Sequence, residues 1–97
     1  MKPAEALQSH REAIRRIVAS HRARNARVFG SVLRGGGDIE GSDLDVLVEP
    51  LPGATLLDLG AIQVELEEAL GVAVDVLTLG DLPIKFRARV LAESIPV

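Results

Sequence analysis

The chain has 97 residues, no cysteine and a net charge of −3, with 47% hydrophobic residues of which only Phe29 and Phe86 are aromatic. A chain this size buries only about 60–65% of its unfolded surface, so one domain spanning 1–97 with a thin aliphatic core is expected, without a separate substrate-binding domain. The composition excludes disulfides and thiol chemistry, argues against a broad nucleic-acid footprint or direct DNA binding, and offers no apolar run long enough to span a bilayer; a cytoplasmic location is the expectation.

Pro3 suits a first helical turn, and Leu7, Ile14, Ile17 and Val18 recur at helical spacing, which predicts one helix from about Pro3 to Arg22. His10 and His21 are not spaced as a helical metal pair and are expected on its surface. "ARVFG" is a short β-branched and aromatic run, a strand ending at Gly30. Residues 30–42 then hold five glycines at no regular interval, a loop that can open with a helical turn. "DLDVLVEP", Asp43 to Pro50, reads as a second strand, stopped by Pro50 and Pro52.

Thr55 and Asp58 form a T-x-x-D capping signal before a helix with Leu59, Ile62, Leu66 and Leu70 on one face and Gly71 as its stop. "VAVDVLTL" is a third strand. Asp81 can cap a last helix with Pro83 in its first turn and Ile84, Ala88, Leu91 and Ile95 on one face. The predicted order is α-β-β-α-β-α: a small α/β fold with helices on a mixed three-stranded sheet, a fourth strand being left open.

Charge is uneven. Residues 1–34 carry eight Lys or Arg against two acids, a net +6, whereas residues 35–97 carry three against twelve, a net −9. Either solvated faces differ in sign, or Arg22, Arg24, Arg27 and Arg34 form a basic rim beside a phosphate or an acidic partner.

The chemistry concentrates in the second strand. Residues i and i+2 of a strand share a face, so Asp43 and Asp45 project together, while Leu44, Val46 and Val48 face the other way. Two carboxylates about 7 Å apart repel each other and gain nothing structurally. A divalent cation removes the objection, and Mg²⁺ prefers one or two carboxylates together with phosphate oxygens and water. Asp75, between Val74 and Val76 of the third strand, completes a three-carboxylate site if that strand lies beside the second. Such a site suits two metals bridged by a phosphate.

Gly30 and Ser31 end the first strand just before the loop. A helical turn starting there aims the N–H groups of Ser31 and Val32 at an anion, and Arg34 adds positive charge. Other motifs fail. Gly36 stands where a P-loop needs Lys, the glycine of "DIEGSDLD" is misplaced for an EF-hand, and Ser31 has no visible His–Asp partnership.

Taken together, Gly30-Ser31, Arg34-Gly35, Ser42-Asp43-Leu44-Asp45 and Asp75 resemble the minimal nucleotidyltransferases of the polymerase-β-like superfamily. Eleven residues separate Ser31 from Asp43, one more than is usual there, and Gly35-Gly36-Gly37 is the place for the extra one. The resemblance implies that Asp43, Asp45 and Asp75 are catalytic and bind Mg²⁺, two ions being expected. It implies that Gly30, Ser31, Arg34 and Ser42 bind the nucleotide. It further implies transfer of AMP from ATP to a hydroxyl, with release of pyrophosphate. Small members of that family act as antitoxins beside HEPN-domain toxins, some by adding AMP to a toxin tyrosine. A HEPN-family partner is therefore expected, homo-oligomers being left open. With no Tyr in the chain, the acceptor is not its own tyrosine. The alternatives are an antitoxin that neutralises by binding alone and a small-molecule nucleotidyltransferase.

Overall fold

The computed structural model describes residues 3–29 and 44–97. Among these residues the order is α1 (Pro3–Ser9), α2 (Arg11–Ser20), β1 (Ala23–Phe29), β2 (Leu44–Pro50), α3 (Leu56–Leu70), β3 (Val74–Leu77), a 3₁₀ turn (Leu79–Asp81), α4 (Ile84–Glu93) and β4 (Ile95–Pro96). The strands form one mixed sheet in the order β3-β2-β1-β4. β1 is antiparallel to both β2 and β4, and β2 is parallel to β3.

The first helix is two helices instead of one. His10 leaves the helical region at φ −129° and ψ 26°, and its ring Nδ1 lies 3.2 Å from the Ala6 carbonyl oxygen, a bond that needs the Nδ1–H tautomer. The His10 backbone N–H donates to the same carbonyl at 3.1 Å, so ring and backbone share one acceptor. The break lets Ala6 and Leu7 of α1 and Ile14 and Val18 of α2 all enter the core. Neither histidine is simply a surface residue. His10 is half-buried, and His21, at the end of α2, hydrogen-bonds Glu65 of α3.

β1 starts three residues earlier than expected and carries an irregularity between Arg24 and Arg27. Asn25 there has φ 54°, a left-handed conformation that asparagine tolerates, and its Nδ2 donates to Glu49 Oε2 at 2.8 Å. α3 is as predicted. Thr55 accepts from Leu57 N–H, Asp58 accepts from Thr55 N–H, and Gly71 stops the helix at φ 71°. β3 is shorter than expected because Thr78 already belongs to the turn after it. Asp81 caps that turn, accepting from Thr78 N–H at 2.9 Å and Thr78 Oγ at 3.1 Å, and α4 starts only after Pro83.

α2 and α3 cover one face of the sheet. Ile14, Val18, Ile62, Leu66 and Leu70 pack there with Val28, Leu44, Val46, Val48 and Val74. α4 does not join them. None of its residues is buried, and Ile84, expected on its inward face, is 79% exposed. The predicted apolar face of α4 is therefore corrected: the thin core is filled by the other helices, and Ile95 leaves the helix to form β4.

β4 is the fourth strand. Val97 N–H donates to Ala26 O at 3.0 Å, and Arg11 and Arg15 of α2 donate to the carbonyls of Pro96 and Val97.

Candidate active site

β2 and β3 are parallel, so the chain must cross over between them, and α3 makes the crossing. The parallel ladder sets Leu44 against Val74, Asp45 against Asp75 and Val46 against Val76. Leu44, Val46 and Val74 are buried under the helices, which turns Asp45 and Asp75 to the other face of the sheet. Asp45 is half-buried there and Asp75 is exposed. The predicted adjacency of the two strands is thus present, and Asp45 and Asp75 stand in register on neighbouring strands, whose backbones lie about 4.8 Å apart.

Glu67 positions this pair, a role that sequence reasoning missed. Its side chain accepts from Val74 N–H at 3.0 Å, and its carbonyl accepts from Gly71 N–H at 2.9 Å. One residue thereby joins the end of α3 to the strand residue before Asp75. An i, i+7 acid-to-strand contact leaves no periodic signal in sequence. Glu67→Ala is expected to cost about 1 kcal/mol, read as a lowered urea midpoint, because it orphans a backbone donor.

Gly30, Ser31, Arg34, Ser42 and Asp43 lie outside the described residues. Phe29, the last described residue before that segment, pairs with Asp45. Among the described residues no group of three or more His, Asp or Glu is gathered for a metal. Asp45 and Asp75 supply hard carboxylate oxygens on one face, a donor set that fits Mg²⁺.

The basic rim is not found among the described arginines. Arg22 donates to Gly53 O, Arg24 pairs with Glu49, and Arg27 donates to Ser94 Oγ at 2.6 Å and to Ser94 O at 3.1 Å. Arg24 and Glu49 lie toward the far end of the β1–β2 ladder from Asp45. The hydrogen bond from Arg24 holds the Glu49 carboxyl below its ordinary range. Arg34 lies outside the described residues.

A model of the nucleotidyltransferase domain matches residues 7–97. The chain belongs to the nucleotidyltransferase-domain family. It is 42% identical, over 81 residues covering 84% of this chain and 86% of the relative, to a Methanocaldococcus jannaschii protein whose name makes it a candidate protein adenylyltransferase. A solved structure described as a candidate minimal nucleotidyltransferase superposes with a TM-score of 0.86 at 44% identity, covering 100% of this chain and 97% of that one. A toxin–antitoxin structure with AMP-PNP superposes at 0.71, with 18% identity and coverage of 88% and 69%, a likeness of fold alone. The resemblance to minimal nucleotidyltransferases read from the Gly-Ser and Asp-x-Asp motifs is borne out, as is the mixed α/β fold. No helix among the described residues is long and apolar enough to cross a membrane.

Proposed function

We propose that this nucleotidyltransferase is a single minimal domain that transfers AMP from ATP to a hydroxyl, a tyrosine of a HEPN-family toxin, and thereby acts as that toxin's antitoxin in the cytoplasm. The observation that carries the reading is the in-register pair Asp45 and Asp75 on one sheet face. The adenylyltransferase name of the M. jannaschii relative and the toxin–antitoxin structures of like fold support the acceptor class.

In this reading Asp43, Asp45 and Asp75 hold Mg²⁺, which when bound neutralises charge developing on the phosphoryl oxygens. Gly30, Ser31, Arg34 and Ser42 contact the triphosphate. The acceptor oxygen bonds to the α-phosphorus, the bond from that phosphorus to the α,β-bridging oxygen breaks, and pyrophosphate leaves. The acceptor proton passes to Asp75, the more exposed of the two described carboxylates.

The test uses ATP labelled at the α-phosphate with Mg²⁺ in a lysate of the source cells. Label should appear on a polypeptide with the wild-type chain and not with Asp43→Ala/Asp45→Ala. No labelled macromolecule, despite a partner that still copurifies, would move the function to neutralisation by binding.

A further inference from the structure

The sheet ends at β3 on one side and at β4 on the other. An outer strand offers backbone N–H and C=O groups to any strand that comes alongside, a second copy of the same chain included. On the β4 side, Pro96 has no N–H to give. On the other side β3 is "VDVL", Val74 to Leu77, whose β-branched valines favour strand pairing.

The register decides which groups of β3 point outward. Leu44 N–H donates to Ala73 O at 2.8 Å, and in a parallel ladder Asp75 and Leu77 then turn their N–H groups to β2. Val74, Val76 and Thr78 turn theirs away from the sheet. The outer donors are already taken: Val74 N–H is bonded to Glu67 Oε2 at 3.0 Å, and Thr78 N–H to Asp81 Oδ2 at 2.9 Å. The acids come from different elements, Glu67 from α3 and Asp81 from the 3₁₀ turn. We propose that Glu67 and Asp81 guard this edge: they occupy the donors through which β3 of a second copy would pair with β3 of the first, and so keep the chain from joining sheets with itself. The proposal goes beyond the transfer reading and does not rest on it.

Symmetry selects these two positions. When a strand pairs antiparallel with its own copy across a two-fold axis, the central residue meets itself, and the residues two before and two after it meet each other. Centred on Val76, the pairing sets Val74 against the second copy's Thr78, and Thr78 against its Val74. Every donor of that pairing except Val76 N–H is one that a carboxylate already holds. An incoming strand must displace both acids before it gains their bonds. The same pairing would set the second copy's Leu77 beside Asp75, so the guards also keep an apolar side chain from that exposed carboxylate.

Glu67→Ala/Asp81→Ala frees the outer donors. Its dimer dissociation constant, measured by sedimentation equilibrium, should fall about tenfold or more below that of wild type, because the released N–H groups regain partners only across the edge. Adding Val76→Pro removes the remaining outward N–H without breaking a bond to β2, and should return the constant to the wild-type value. Thermal melts check that the variants fold. The wild-type chain supplies a test that needs no variant: amide hydrogen exchange should be about tenfold or more faster at Val76 than at Val74 and Thr78. A double variant that associates no more tightly than wild type overturns the proposal. So does association that survives Val76→Pro, which would assign it to another surface, such as the exposed Leu56 and Leu57 of α3. Exchange at Val76 as slow as at Asp75 and Leu77 also overturns it, since the edge would then be covered already.

Discussion

Asp75→Asn is expected to lower nucleotidyl transfer about a thousand-fold, a loss of about 4 kcal/mol of transition-state stabilisation, while the chain still folds. Asparagine keeps the size and one carbonyl oxygen of aspartate. It removes the negative charge that would hold Mg²⁺ and the basic oxygen that would take the acceptor proton. Asp75 is exposed, and its strand is anchored by neighbours on the buried face, Val74 above all. A thermal midpoint within a few degrees of wild type together with lost transfer would assign the residue to chemistry. Transfer within about tenfold of wild type would remove Asp75 from the catalytic set.

Leu66→Ala should be the most damaging conservative change to stability, costing about 3 kcal/mol. Leu66 is fully buried in α3, the helix that crosses between β2 and β3, and a chain this short has few alternative contacts to collapse into the cavity left behind. The thermal midpoint should drop by roughly 12–24 °C, out of a total stability of about 5–15 kcal/mol. Because α3 delivers β3 to its place beside β2, activity should be lost at temperatures where the wild type still works. A midpoint shift under about 4 °C would show that the crossover helix is not held by this core.

The limits of legibility follow from particular residues. The Thr55–Asp58 box and the Gly71 stop were readable because capping is settled within four or five residues. Asp81 carried the same local signal and was assigned to α4, yet it closes the turn at Thr78. Both uses satisfy a backbone donor three residues earlier or later, and the sequence does not rank them; Pro83, which lacks an N–H, delays the next helix. The apolar face predicted for α4 had the right periodicity and the wrong environment. Periodicity reports which residues would share a face, not whether anything covers that face. His10 was invisible as a break because the helical bonds on either side of it, His10 N–H to Ala6 O and Ile14 N–H to His10 O, are both kept.

The sequence by itself determined the class of chemistry and the family. Asp-x-Asp at a strand start, a Gly-Ser before it and Asp75 in an otherwise apolar strand are the combination that carries the resemblance to that family. It also determined α3, whose signals are local. Tertiary structure alone decided that Asp45 and Asp75, thirty residues apart, stand in register. It alone added β4 to the sheet and left a cavity lined by Leu47 of β2 and Leu91 of α4. The reason is physical: strand pairing, register and coverage are settled by contacts between distant segments competing for one small core, and no residue carries that outcome in its neighbours along the chain.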